Sequence, residues 1–505
     1  MRHIDLGAAR ENMVTTGMTG ATRRGRAGLT ACLAGSILLA GCSFAPPHVR
    51  PAQPVPSSYS GETAAGPSVA RIGWHDFFRE DHLRALIMAA LENNRDVRIA
   101  TARVAEARAA WRIEGAALYP ELNGVGTGTR GRSIINLPGL GTQSYDIKQI
   151  TAQLSASWEL DFWGRLRNLR DAARNQYLAT EEARRAVATD LIAQVANGYL
   201  LERDYEERVA IARRTIATRE ESLRIMRRRY EVGSGSKLEM TQAQMLLAQA
   251  QSTLQGLDQD REINRNALAL LVGGPVEIPP GPLGLAEAAP QVDLPPGLPS
   301  ELLSYRPDVV AAEYRLRAAD ANIGAARAAF FPNITLTGAF GTASADLDGL
   351  FGDGSRSWSF TPTITQPLFN AGRLAANLDV AKARQVEAVA DYEKTIQSAF
   401  RDVSDALVRR RQLALQIETT RTVLEALRER ARLAQLRFDN GRSAYLEVLD
   451  AQRDLFDTEQ ALVQLRRAHL AAAIALYAAL GGGFVGQPAF DTGASAIPAS
   501  GEQQR

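Results

Sequence analysis

Several residue types are scarce in this sequence. Only four of the 58 basic residues are Lys (Lys148, Lys237, Lys382 and Lys394), aromatic residues make up 6%, and 505 residues include two Cys and five His. Each scarcity excludes a class of protein. Two Cys cannot staple a disulfide scaffold. The His residues show no metal-ligand spacing, and neither a G-x-S-x-G elbow nor a phosphate-binding P-loop occurs, so no enzyme, metal or cofactor is expected. His469, on an apolar helix seam, reads as a core or interface residue before a proton switch. With 58 basic against 56 acidic residues there is no positive excess to hold nucleic acid. The preference for Arg over Lys fits a GC-rich genome better than a binding site. Beyond the N-terminal stretch, no run reaches the ~18 apolar residues of a membrane-spanning helix. Hydropathy alone therefore describes a soluble chain, long enough for two or three domains.

The N-terminus is different. Arg23, Arg24 and Arg26 precede an apolar, small-residue run that ends in Leu39-Ala40-Gly41-Cys42. This layout is similar to a bacterial lipoprotein signal, with cleavage before Cys42 and acylation of its thiol and freed amine. Ser43 stands where an Asp would mark inner-membrane retention, so the resemblance favours the outer membrane. Loss of residues 1–41 removes five Arg and two acids and takes the net charge from +2 to −1. It also removes Cys32, leaving Cys42 as the lone mature cysteine. Acyl chains on Cys42 would anchor the protein to lipid, and the prolines that follow suit an extended tether over 42–80.

A duplication organises the remainder. Asp96-Val97 recurs as Asp308-Val309 and Leu118-Tyr119-Pro120 as Phe330-Phe331-Pro332, both at an offset of about 212. Gly164-Arg165-Leu166 recurs as Gly372-Arg373-Leu374, Gly233 as Gly441, Leu238-Glu239 as Leu446-Glu447 and Gly273-Gly274 as Gly481-Gly482, at 208. The copies therefore differ in one loop between Gly126 and Trp158. The expected organisation is repeat 1 over 81–274, a Pro-rich connector over 275–306, repeat 2 over 307–482 and a tail over 483–505. Each repeat reads helix, two strands, very long helix, Gly-marked break, helix.

No Pro occurs from Arg165 to Gly274 or from Leu368 to Gly482. An uninterrupted helix from Arg165 to Glu231 would extend ~100 Å, too long for a globular domain. In the returning helix Leu247, Ala250, Leu254, Leu257, Leu268 and Leu271 alternate at spacings of 3 and 4, with Arg261 and Asn264 on the intervening seam positions. Val448, Ala451, Leu455, Leu462, Leu465, Leu476 and Ala479 repeat the pattern. These are coiled-coil hairpins with tips at 232–236 and 440–443.

The strands are shorter. From Ile150 to Phe162 apolar and polar residues alternate with period two. With Trp158, Phe162 and Trp163 at one end, the segment suits either a bilayer-crossing strand with interfacial aromatics or a strand of a soluble sandwich. Its counterpart, 357–369, carries Trp358 but also Pro362 and Pro367. Segments 122–130 and 333–341 are the partner strands. Four strands cannot close a barrel in a membrane, but three chains would supply twelve.

In order along the chain stand Trp158-Glu159-Leu160-Asp161-Phe162-Trp163-Gly164-Arg165, a connector Leu298-Pro299-Ser300-Glu301-Leu302-Leu303-Ser304-Tyr305-Arg306-Pro307-Asp308-Val309, the tip Asn440-Gly441-Arg442-Ser443, the run Leu446 to Arg453, and Ala479-Leu480-Gly481-Gly482-Gly483. With the duplication and the lipoprotein signal, this series resembles the outer membrane factor family of bacterial efflux systems, the TolC- and OprM-like ducts, in its lipoprotein branch. The resemblance implies an α+β fold: long helical hairpins forming a periplasmic α-barrel, and four strands per chain in a homotrimeric twelve-stranded outer-membrane β-barrel. It implies an exit duct for drugs or other small toxic compounds, with a periplasmic adaptor and an inner-membrane transporter as partners. The family position further implies a periplasmic gate at Asp450 and Arg453. Adaptor contacts are implied at Val232, Gly233, Gly235, Ser236, Asn440, Gly441, Arg442 and Ser443. From the residues alone, Asp450 and Arg453 are equally a solvated i,i+3 pair, and a Gly-rich tip is first of all a turn. Tyr230 on the first tip becomes Phe438 on the second, so no hydroxyl latch is expected there. A type I protein exporter's channel and a pore-less periplasmic scaffold are the competing readings.

Overall fold

The computed structural model describes residues 43–59, 72–137, 141–279 and 299–482. Cys42, the rest of the signal, most of the connector and the tail lie outside the described residues. The first copy contributes α1 (Trp74–Phe77), α2 (Asp81–Asn93), α3 (Arg95–Ala116), β1 (Glu121–Leu137), β2 (Gly141–Leu160), α4 (Arg165–Glu231) and α5 (Lys237–Val272). After the connector come α6 (Leu302–Tyr305), α7 (Pro307–Ala328), β3 (Asn333–Ser344), β4 (Arg356–Thr365), α8 (Arg373–Asp439) and α9 (Tyr445–Ala479).

The duplication is carried into the backbone. Helices α4 and α8 have 67 residues each, and α3 and α7 have 22 each. Three matched glycine pairs adopt the left-handed conformation that side-chain-bearing residues avoid: Gly164 and Gly372 (φ 75° and 83°), Gly233 and Gly441 (74° and 70°), Gly273 and Gly481 (80° and 77°). The strands are where the copies diverge. The first hairpin has strands of 17 and 20 residues, the second 12 and 10.

The chain divides into two compact units, and each takes pieces of both copies. The sheet unit comprises, among the described residues, 43–46, 115–137, 141–169 and 323–376; the helical unit holds the others. In the sheet unit all four strands join in one antiparallel meander, ordered β1-β2-β3-β4.

Two strands stop short of the sequence expectation at their C-terminal ends. Strand β2 ends at Leu160 and not at Phe162, because the Asp161 carboxylate turns to accept the N–H groups of Leu166 (3.1 Å) and Arg167 (2.9 Å) at the start of α4. Strand β4 ends at Thr365 and not at Phe369, since Pro367 has no N–H for the ladder. Pro362 is accommodated opposite Leu336 because β4 is an edge strand. The β1 and β2 ladder also runs on to Leu137 and Gly141, beyond the expected segments.

In the helical unit the seam residues Ala250, Leu257, Asn264 and Leu268 are buried, as are Val448, Ala451, Leu462, Leu476 and Ala479. The two polar seam positions have specific partners. Asn264 Nδ2 donates to the carbonyl of Gly198 at 3.0 Å, and Arg261 reaches Glu202 at 2.7 Å and Glu206 at 2.9 Å. Glu202 is fully buried and also accepts from Arg265 at 2.9 Å, so removing either Arg would leave a buried carboxylate short of partners. The single glycine of α4 is explained here: a Cβ on Gly198 would lie 2.7 Å from Leu268 Cδ2. Aromatic packing completes the core, with Phe77 stacked on Tyr477 at 4.0 Å and the Tyr477 hydroxyl donating to the carbonyl of Ile72 at 2.9 Å.

Candidate functional site: a one-faced sheet and two helical tips

The register of the sheet sorts most of its side chains by polarity. Opposed residues of antiparallel strands share a face. One face therefore collects Leu122 of β1, Ile150, Leu154, Trp158 and Leu160 of β2, Ile334, Leu336 and Phe340 of β3, and Trp358, Phe360 and Ile364 of β4. The other collects Asn123, Thr127 and Thr129, then Gln149, Thr151, Gln153, Ser155 and Ser157, then Thr335 and Thr337, then Ser357, Ser359, Thr361 and Thr363. The apolar face is bare: Leu122, Leu154, Phe340, Trp358, Phe360 and Ile364 are each between 62% and 76% exposed. Such a face is not stable in water as it stands.

On β2 the apolar band runs from Leu160 to Ile150, ten residue steps. At ~3.4 Å per step and a strand tilt of ~40°, this is ~26 Å of height, close to the ~25 Å apolar band of outer-membrane barrels. Trp158 lies at the helix-bearing end of the band, its Nε1 donating to the carbonyl of Leu118 at 3.0 Å. Phe162 is exposed in the turn after β2. Trp163 turns inward, donates to the carbonyl of Pro332 at 2.9 Å and stacks on Phe331 at 4.9 Å. Trp358 lies opposite Phe340, toward the far end of the band.

The residues immediately after Cys42 are docked on the sheet unit. Ser43 Oγ donates to Asn168 Oδ1 at 2.9 Å, the Phe44 ring stacks on Phe331 at 4.7 Å, and Arg327 Nη1 donates to the Phe44 carbonyl at 2.9 Å. The sequence predicts an extended tether for this stretch, and the structure instead packs its first residues. The one local sign of docking is the aromatic at Phe44, whose partner lies 287 residues away.

The two tips are built differently. At the first, Val232, Gly233, Gly235 and Ser236 lie in the turn between α4 and α5, which a reciprocal capping box closes: Ser236 Oγ accepts the Glu239 N–H at 3.1 Å and Glu239 accepts the Ser236 N–H at 3.1 Å. At the second, Asn440, Gly441, Arg442 and Ser443 lie between α8 and α9, the turn extends through Ala444, and no side chain caps α9. Val232 and Arg442 are exposed.

Asp450 and Arg453 face each other one turn apart near the start of α9, Nη1 to Oδ1 at 3.3 Å. Arg453 also reaches Asp454 at 3.2 Å, and Asp454 binds Arg430 of α8 at 2.7 Å. The hydrogen bond from Arg430, and then that from Arg453, holds the Asp454 carboxyl below its ordinary value. The pairing of Asp454 with Arg430 is not legible in the sequence, because it joins two helices at positions 24 apart. Among the described residues no group of three His, Cys, Asp or Glu is placed to hold a metal ion.

Comparison with known proteins agrees with this geometry. Residues 86–274 and 298–482 match the outer membrane efflux protein family. The chain is 42% identical over 453 residues to the cation efflux system protein CusC of Escherichia coli O157:H7, covering 89% of this chain and 97% of that protein. It is 41% identical over 458 residues to the toluene efflux pump outer membrane protein TtgI of Pseudomonas putida, covering 89% and 97%. The open state of the MtrE outer membrane channel of Neisseria gonorrhoeae superposes with a TM-score of 0.79 at 38% identity, covering 88% of this chain and 98% of that one. The chain thus belongs to the outer membrane efflux protein family and is an outer-membrane efflux channel of helices and strands.

Proposed function

We propose that three copies of this chain close their sheets into a twelve-stranded barrel and form the exit duct of a tripartite pump. The observation that carries this reading is the sheet itself: one exposed apolar face of bilayer height, one polar face, and two open edges. Buried in lipid, the unpaired backbone groups of β1 and β4 need partners, and neighbouring chains provide them. The polar face then lines the lumen and the apolar face meets acyl chains. The long hairpins form a periplasmic conduit whose tips, at Val232, Gly233, Gly235 and Ser236 and at Asn440, Gly441, Arg442 and Ser443, receive a periplasmic adaptor. Asp450 and Arg453, near the second tip, form the gate. Trp158, Phe162 and Trp358 mark the membrane interfaces, whereas Trp163 packs inward on Phe331, and Cys42 carries the acyl anchor, docked through Ser43 and Phe44.

The cargo is a small toxic compound chosen by the inner-membrane transporter. Support comes from two relatives of nearly equal identity, one named for cations and one for toluene, so duct similarity does not track cargo. The test is extraction and recording. Expected are release from membranes only by detergent, a particle of three chains, and stepwise ion conductance in planar bilayers. A detergent-independent monomer without conductance overturns the proposal.

A further inference from the structure

On three of the four strands, the first outward residue past the apolar band is a cation. It is Arg130 on β1, Lys148 on β2 and Arg356 on β4, following Gly128, Ile150 and Trp358 respectively along the lipid side. The lumen-side neighbours at these levels, Thr129, Gln149 and Ser357, are uncharged. Had these charges served only to solvate the strand ends, either face would do. They occupy the lipid side alone.

Their pairing is incomplete. Arg130 stands directly opposite Lys148 in the register, and like charges so placed repel. Lys148 contacts Asp346, and Arg132, one step further out, binds Asp146 at 2.8 Å. Arg130 and Arg356 have no acidic partner among the described residues, although Asp348 and Asp353 lie in the loop between β3 and β4. All three band-edge cations are exposed. Lys148 lies two residues beyond Ile150, ~5 Å above the apolar band after tilt, which is headgroup depth and not bulk water. The ladder between β1 and β2 continues past Arg130 to Leu137, leaving a strand wall beside this level. A planar guanidinium with free donors at that depth is suited to bidentate phosphate recognition.

We propose that Arg130 and Arg356, with Lys148, form a phosphate-binding belt on the outward face of the sheet that holds the phosphorylated headgroups of outer-leaflet lipid. The proposal rests on reading the sheet as a lipid-facing barrel wall. The belt gives the trimer a lipid ring fixed by charge as well as by apolar contact, and it sets the height of the barrel in the membrane.

The test uses the full-length trimer in phosphatidylcholine nanodiscs doped with diphosphorylated lipid A or with its dephosphorylated form. Retained lipid is counted by native mass spectrometry. Wild type is expected to retain the phosphorylated form about ten-fold more strongly, a factor within reach of two charge-assisted contacts. R130Q/R356Q should lose most of that preference. If the double variant fails to assemble, R130Q alone carries the test by the same readout. Equal retention of both lipids by wild type, or an undiminished preference in the variant, overturns the belt. Conductance of wild type in pure phosphatidylcholine is recorded in parallel. Its absence counts against the channel reading, whereas conductance without lipid preference counts against the belt alone.

Discussion

The guanidinium of Arg229, in the last turn of α4, lies 5.0 Å from the centre of the Phe438 ring in the last turn of α8. The same ring packs on Tyr445, the first residue of α9, at 4.9 Å. Where the first copy has Tyr230 the second has Phe438, which removes a hydroxyl but leaves a ring face for a cation. Thus the two hairpin tips of one chain are joined by a contact that needs no hydroxyl. An exposed cation–π contact contributes ~0.5–1 kcal/mol, or up to about five-fold in an open-to-closed ratio. R229A and F438A are each expected to raise the open fraction two- to five-fold in single-channel records, and the double variant no further than the stronger single one. Additive effects would show that the two residues act independently.

The chain of charges at the start of α9 predicts a pH response with a defined sign. Asp454 is held below its ordinary value by Arg430 and Arg453. A carboxylate depressed in the folded state stabilises it above the ordinary carboxylate range, and that contribution is lost as pH falls through the folded value. Asp454 therefore stays ionised through the ordinary carboxylate range, and its release of Arg430 and Arg453 should raise conductance only at pH values below that range. D450A/R453A should raise conductance at neutral pH, and high salt should lessen the difference from wild type because the pair is exposed. Identical conductance in variant and wild type would return Asp450 and Arg453 to the role of a solvated pair.

The parts of this molecule legible in the sequence are those fixed by local periodicity or repetition. Asp96 and Asp308, Gly273 and Gly481, and the seam from Leu247 to Leu271 declare helices and their duplication without tertiary knowledge. The strand from Ile150 to Leu160 is legible because one face is wholly apolar. Its end is not legible, because Asp161 continues the alternation while its carboxylate serves the next helix. Likewise, nothing local announces that Phe44 stacks on Phe331 or that Arg430 reaches Asp454. Those partners are fixed by packing, which a single sequence does not display.

The docking of Ser43 and Phe44 separates anchoring from assembly. C42S should lose the mass of its acyl groups yet still form a detergent-dependent trimer, because the exposed apolar face of the sheet remains to be covered. F44A removes the stack on Phe331 and leaves acylation untouched. It is expected to lower the thermal midpoint of the purified trimer by a few degrees, in line with ~1 kcal/mol for an aromatic pair and the area lost with it. Full loss of trimer in C42S would show that the acyl chains are needed for assembly.

Gly273 and Gly481 give the sharpest stability prediction. Both combine a left-handed backbone with a crowded Cβ position: an added Cβ would lie 2.6 Å from the Asn93 carbonyl oxygen at Gly273 and 2.5 Å from that of Tyr305 at Gly481. The obstacle in each case is backbone, which cannot rotate aside as a side chain can. Gly233 and Gly441 share the left-handed φ but meet nothing within 4 Å. The conformational penalty alone is ~1 kcal/mol, so G233A and G441A should each cost about that much. G273A and G481A should cost ~3 kcal/mol or more, since a displaced backbone is added to the strain. Paired melting curves of the four variants measure the difference, and equal midpoints would mean that the close helix-end contacts at Asn93 and Tyr305 are absent in the protein.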